Sequence, residues 1–275
     1  MDIMVQSRSL DANDNIPPPG FISLAVRANE LGVTPNSLRR YINLGNIDGT
    51  SIVIRNRIYV THDLVPIPVR RRGNHLLIGR KASLIRETNE TWVSIDIDLD
   101  GQGTYEVVTG NSMLNHLLEQ FAKHGLLNLT IKARGDDVPD AHHLVEDVSI
   151  TLGRVIRQAV GEGRGICRVG NALVPLDEVL AQVIIDIGGR GYAKVETKLE
   201  RRILGNLNGE LIGHFLERLA LEACINLHTR VLSDGEPHHV AEALFKSLAR
   251  AFRMAVQLDP RMAGQVPSTK GTVSG

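Results

Sequence analysis

The sequence predicts an α+β protein in two parts: a duplicated domain layering β-sheet against helix pairs, preceded by a small winged helix-turn-helix module. Three observations carry this. A block of 19 residues beginning at His142 repeats without gaps from His238. Period-two strand patterns and long amphipathic helical patterns intermix through the back of the chain. The first 62 residues read instead as two short helices and a hairpin.

In chain order, Ser23 is placed to cap a short helix carrying Leu24, Ala28 and Leu31, which Gly32 ends. Thr34-Pro35 restarts a helix in the favoured order, cap then proline at the first helical position. That helix sets Leu38, Tyr41 and Ile42 on one side with Arg39 and Arg40 beside them, and Gly45 stops it. Ile52–Ile54 and Arg57–Val60 form a hairpin turning at Arg55-Asn56. The run "VTPNSLRRYINLGNI" resembles the MerR or excisionase type of helix-turn-helix, which leaves two roles open for residues 20–62: contact with DNA, or a non-reading role such as docking to another subunit. Residues 63–75, with two prolines and Arg70-Arg71-Arg72, read as an exposed linker. The boundaries are therefore 1–75 for the front module and linker, and 76–275 for the duplicated domain, with halves of about 76–165 and 166–275.

In the second part Val93, Ile95, Ile97 and Leu99 alternate with polar residues, the pattern of a half-buried strand. Further strands are expected around Leu127–Ala133, Val183–Asp186, Ala193–Leu199 and Ile225–Leu232, and helices over Ser112–Ala122, His142–Val160, Glu210–Ala223 and His238–Val256.

Bulk properties narrow the setting. Of 31 basic and 31 acidic residues, the first 75 positions hold nine and six, so a mildly basic front precedes a mildly acidic remainder. No apolar stretch is long enough to span a bilayer, and the first residues lack the pattern of a signal peptide. Cys167 and Cys224 are isolated, which argues against a thiolate metal site or a disulfide framework. A cytoplasmic protein without a membrane partner is expected.

The repeat carries the chemistry. The block "HHLVEDVSITLGRVIRQAV" shares its His pair, Glu, Leu, two Arg, Ala and Val with "HHVAEALFKSLARAFRMAV". Upstream, "NHLLEQFA" with His116 matches "GHFLERLA" with His214, at separations of 26 and 24 residues from the respective His pairs. On a helix, positions i and i+4 share a face, so His142 with Glu146 and His238 with Glu242 can each grip one ion. His143 and His239 project about a hundred degrees away and serve the other ion, because a helix advances about that angle per residue. Exchange symmetry thus pairs His143 with His238 and Glu242, and His239 with His142 and Glu146. It leaves open which set takes His116 and which His214. Imidazole and carboxylate without thiolate suit Mn, Fe, Co, Ni or Zn. Four protein ligands on an octahedral ion leave positions open for a substrate.

The motifs "RETNET", "HLLEQFAKHG", "DAHHLVED", "GICRVG", "PLDE", "GGR", "HHVAEALFKSLARAFRMA" and "PSTKG" occur in order from Arg86 to Gly271. By them the chain resembles the imidazoleglycerol-phosphate dehydratase family of histidine biosynthesis. The resemblance implies a ribosomal protein S5 domain 2-like fold and two Mn(II) ions per active site. It assigns His116, His143, His238 and Glu242 to one ion, and His214, His239, His142 and Glu146 to the other. It also implies a homo-oligomer with metal sites at subunit interfaces and a small phosphate substrate whose imidazole lies between the ions. Glu90 is implied in proton transfer, with Gln120 and His124 lining the site. Arg168, Arg190, Lys246, Ser268, Thr269 and Lys270 would hold the phosphate, since guanidinium, ammonium and hydroxyl donors suit such a dianion.

The chain departs from the family's pattern at three places: Asn115 in place of an Asp beside His116, Gly189 in place of a Ser before Arg190, and Glu236-Pro237 ahead of the second His pair. Loss of the carboxylate at 115 is expected to loosen the orientation of His116. His228 is expected to be a packed strand histidine. The alternative function is a DNA-binding regulator that keeps the metal site as a ligand sensor without catalysis.

Overall fold

A computed structural model describes residues 17–31, 35–43, 47–48, 50–54, 57–62, 64–66, 80–135, 141–262 and 264–273. The expected helix ends at Gly32 and Gly45, the cap at Thr34, the turn at Arg55-Asn56 and the arginine run at 70–72 lie outside these residues.

The front of the chain forms β1 (Phe21–Ser23), α1 (Leu24–Glu30), α2 (Pro35–Asn43), β2 (Ile47–Asp48), β3 (Ser51–Ile54), β4 (Arg57–Thr61) and β5 (Val65–Pro66). The Ser23 hydroxyl accepts the Val26 N–H and so caps α1. Leu24, Ala28, Leu38, Ile42, Val60 and Leu64 make a small core of their own. The expectation of an exposed linker from residue 63 fails at its start. Leu64 is fully buried and β5 pairs with β2, because packing against α1 and α2 outweighs the local turn signal of the prolines.

The hairpin of β3 and β4 is not a free-standing wing. β3 lies parallel to β6 (Lys81–Glu87), with Ile52 opposite Ile85 and Ile54 opposite Glu87. Val53 packs against the main core. The front strands thereby extend a sheet ordered β1-β4-β3-β6-β7-β9-β8, which also contains β7 (Thr91–Asp98), β8 (Tyr105–Val108) and β9 (Asn128–Gly135).

Duplication is plain in the topology. The first half adds α3 (Ser112–Gly125) and α4 (His142–Val160) to β6–β9. The second half holds β10 (Val169–Leu176), β11 (Val179–Asp186), β12 (Tyr192–Val195) and a small hairpin of β13 (Ile203–Leu204) and β14 (Leu207–Asn208). It continues with α5 (Glu210–Ala223), β15 (Asn226–Ser233) and α6 (Pro237–Val256). Its sheet runs β10-β11-β15-β12, repeating β6-β7-β9-β8. In both sheets the first two junctions are antiparallel and the last is parallel. The four predicted helices all form. β6, β8 and β10 were not predicted, and β12 ends at Val195, short of the expected Leu199.

The helices lie between the two sheets, α4 packing on α5 and α3 on α6. Leu144, Val145, Val148, Leu152, Val155 and Ile156 form the buried stripe of α4, spaced as a helix requires. Its histidines and Glu146 stay on the half-exposed flank. Non-glycine residues in the left-handed region end α3 and α5 at equivalent points, Leu126 and Cys224, both at φ 55°. Gly153 permits the close approach of α4 to α5, since a Cβ there would stand 2.8 Å from the Leu219 carbonyl oxygen. Gly153→Ala is expected to cost about 1–3 kcal/mol of stability by overpacking. Urea unfolding monitored by circular dichroism checks this, and an unshifted midpoint would refute it. Among the described residues, no helix is long and apolar enough to cross a membrane.

Candidate metal centre and active site

Two clusters, related by the internal repeat, gather the imidazoles. In the first, His116 from α3 meets His238 and Glu242 from α6. Glu242 Oε1 lies 2.7 Å from His116 Nε2 and 3.1 Å from His238 Nε2, and the two rings stack with centroids 5.2 Å apart. In the second, His214 from α5 meets His142 and Glu146 from α4. Glu146 oxygens lie 3.7 Å from His214 Nε2 and 4.0 Å from His142 Nε2, and the rings stack at 5.0 Å. Each cluster brings three candidate ligand atoms within 4.8 Å of one another. The helical i, i+4 spacing inferred from the sequence is the spacing that makes each pair converge.

The electrostatics of the first cluster favour an ionised Glu242 carboxylate. Burial works to raise the Glu242 carboxyl, but hydrogen bonds from Lys246 and His116, the Lys246 charge and a bond from His238 outweigh it and hold it at about 2. Glu146 has Arg218 Nε, from α5, at 3.4 Å. Among the described residues, His214 Nε2 and Arg218 Nε are buried and find no hydrogen-bond partner. A buried imidazole nitrogen aimed at a carboxylate and left unsatisfied fits a coordinating role, which would supply the missing partner.

His143 and His239 turn away from these clusters, as their helix positions dictate. His143 Nδ1 lies 3.7 Å from Glu90, in the turn between β6 and β7. His239 Nδ1 lies 3.1 Å from Glu178, in the turn between β10 and β11, with Asp177 3.9 Å from its other ring nitrogen. Glu178 thus occupies in the second half the place that Glu90 occupies in the first. Sequence reasoning passed over Asp177 and Glu178, although "PLDE" sits in the repeat-equivalent turn. Hydrogen bonding to Glu178 raises the pKa of His239.

Gln120 and His124 come together one turn apart on α3, Nε2 of His124 donating to Gln120 Oε1 at 3.1 Å. Burial, with the positive charges of Lys246 and Arg250, lowers the His124 pKa and favours neutral imidazole. His124, Lys246 and Arg250 line a cavity of about 420 Å³ with Leu173, Val174 and Pro175. Arg250 was missed by the sequence reading, though the repeat aligns it with Arg154, which pairs with Glu222.

The other phosphate candidates gather at the far end of β10. Arg168, at φ 70°, makes a two-pronged pair with Asp186, Nε at 2.7 Å and Nη2 at 3.1 Å. Its Nη1 donates to the Pro267 carbonyl at 2.9 Å, which ties down the segment bearing Ser268, Thr269 and Lys270. Ser268 is half-buried, and Thr269, Lys270 and Arg190 are exposed.

The three departures have local explanations. Asn115 does not steady His116; its Oδ1 accepts from the Thr109 N–H at 2.9 Å and hydroxyl at 2.7 Å, so the substitution acts on the start of α3. Gly189 sits at φ 76°, a conformation in which Ser would be strained. Glu236 caps α6 by accepting the His239 N–H, and Pro237 follows at the first helical position. His228 is corrected from packed to exposed. Strand alternation sends Leu227 and Thr229 inward and leaves His228 outside, its ring 6.0 Å from that of Tyr192.

Fold and site together define a class: a duplicated α+β enzyme with repeat-related imidazole–carboxylate clusters suited to transition-metal ions. Comparison with known proteins narrows it. The model of the imidazoleglycerol-phosphate dehydratase family matches residues 109–252. The imidazoleglycerol-phosphate dehydratase of Dehalococcoides mccartyi is 48% identical over 70% of this chain and 96% of its own length. That of Desulforamulus reducens is 47% identical over 72% of this chain and all of its own. The crystal structure from Staphylococcus aureus superposes with a TM-score of 0.59 at 31% identity, over 65% of this chain and 99% of that one. The chain belongs to the imidazoleglycerol-phosphate dehydratase family and is a hydro-lyase.

Proposed function

We propose that this protein dehydrates imidazole glycerol phosphate to imidazole acetol phosphate in histidine biosynthesis, at a site built around two divalent transition-metal ions. The observation that carries the reading is the pair of stacked-imidazole clusters related by the internal repeat, in a chain of this family. His116, His238 and Glu242 with His143 would hold one ion, and His142, Glu146 and His214 with His239 the other. Mn(II) is the proposed metal. Because His143 and His239 face away from both clusters of their own chain, this set implies ligands donated by neighbouring copies, and hence a homo-oligomer.

When bound, the ions supply Lewis acidity and positive charge to the imidazole ring of the substrate. The net reaction breaks one C–H bond and one C–O bond, releases water and leaves an enol that tautomerises to the ketone. Glu90 moves the proton between substrate carbon and solvent, a role its half-exposed carboxylate suits. Gln120 and neutral His124 orient the polar side chain of the substrate. Arg168, Arg190, Lys246, Ser268, Thr269 and Lys270 hold the phosphate.

The test is a purified-protein assay for imidazole acetol phosphate. Turnover with Mn(II), lost on chelation and regained on adding the metal back, is expected. No product from metal-loaded protein would overturn the reading. Salt-sensitive binding to a specific DNA site in the same preparation would then favour the regulator.

A further inference from the structure

Asp147 follows the ligand candidate Glu146 on α4 and is almost wholly buried, 5% exposed. One of its oxygens accepts from Arg86 Nε at 2.9 Å and lies 2.8 Å from Nη2 of the same guanidinium, an ion pair. The other accepts from the hydroxyls of Thr91 and, at 3.3 Å, Thr88. All three donors flank Glu90 in the β6–β7 turn. The Thr88 hydroxyl oxygen also accepts the N–H groups of Glu90, at 3.2 Å, and Thr91, at 2.9 Å. A buried carboxylate is costly unless it is paired and hydrogen-bonded, and here Arg86, Thr88 and Thr91 donate to it while the Arg86 guanidinium balances its charge.

We propose that Asp147 is a positioning residue that fixes the turn carrying Glu90 against the metal-binding helix. The geometry is direct. His143 and Asp147 are four residues apart and share a face of α4, and Glu90 stands 3.7 Å from His143. One helix thus sets the imidazole, and its buried carboxylate sets the proton-transfer group beside it. Comparison of the halves separates this role from a need of the fold. The repeat places Ala243 where Asp147 stands, yet the second half builds the same four-stranded topology. Its own turn is held otherwise, by the Glu236 N–H donating to Glu178 at 2.7 Å.

The inference rests on the reading that Glu90 moves the substrate proton, and the test keeps the two apart. Metal-loaded full-length protein is compared with Asp147→Asn, Thr91→Val and Thr91→Ser. Thr91→Val deletes one hydroxyl from a buried site at nearly constant volume, and it carries the test alone if Asp147→Asn does not fold. Asp147→Asn and Thr91→Val are expected to lower kcat about ten- to a hundredfold, the scale of a misplacement near 1 Å. KM and bound metal per chain should stay within about twofold of wild type, locating the loss in the chemical step. The primary deuterium isotope effect at the abstracted hydrogen should rise, and Thr91→Ser should restore kcat. An unchanged kcat in both variants overturns the proposal, as does a fall in kcat that tracks lost metal or lost folded protein. A wild-type protein without turnover overturns the dehydratase reading itself.

Discussion

Glu242→Gln is expected to abolish most turnover, with kcat/KM falling by on the order of a thousandfold, because a neutral amide replaces the one anion facing His116, His238 and Lys246. The carboxylate does two things at once in this structure. One oxygen faces both stacked imidazoles and the other pairs with Lys246. Glutamine has nearly the same volume, so the packing of α6 should survive while the anionic ligand is lost. The Lys246 ammonium is then left half-buried without its counter-charge. Elemental analysis should show bound metal falling in parallel with activity, recovering in part at high Mn(II). Retention of both metal and turnover would remove Glu242 from the proposed ligand set.

Glu90→Gln should separate binding from chemistry. The change keeps the turn and its hydrogen bonds to Thr88, which involve the main chain of Glu90 and not its carboxylate. Metal content and KM should hold while kcat falls about a hundred- to ten-thousandfold, the usual worth of a positioned acid–base group. Steady-state kinetics with metal quantified in the same sample checks this. A wild-type kcat in the variant would move proton transfer elsewhere, with Glu178 of the second half the first residue to examine.

Much of the fold was written locally. The helices carrying His116, His142, His214 and His238 showed themselves twice over, by apolar period and by repetition. β10 stayed hidden because "VGNALVPL" contains a glycine and a proline, and its apolar residues fall on both faces, with Leu173 exposed and Val174 buried. β8 is four residues at a sheet margin, too short for a periodic signal. The parallel register of β3 on β6 was beyond local reading, since it joins segments some thirty residues apart that carry no marker of each other.

The candidate site divides in the same way. Spacing within one helix made His142 and Glu146, and His238 and Glu242, legible as pairs. Asp147 and Glu178 were not legible, because what distinguishes them is burial and the turn opposite, both set by tertiary packing.

A ladder of peptide hydrogen bonds sets the pose of the front hairpin. Ile52, Val53 and Ile54 are locked in step with Ile85, Arg86 and Glu87. Arg86 in turn grips Asp147. Arg86 therefore belongs at once to the strand that receives the front hairpin and to the ion pair that holds the helix bearing His142 and His143.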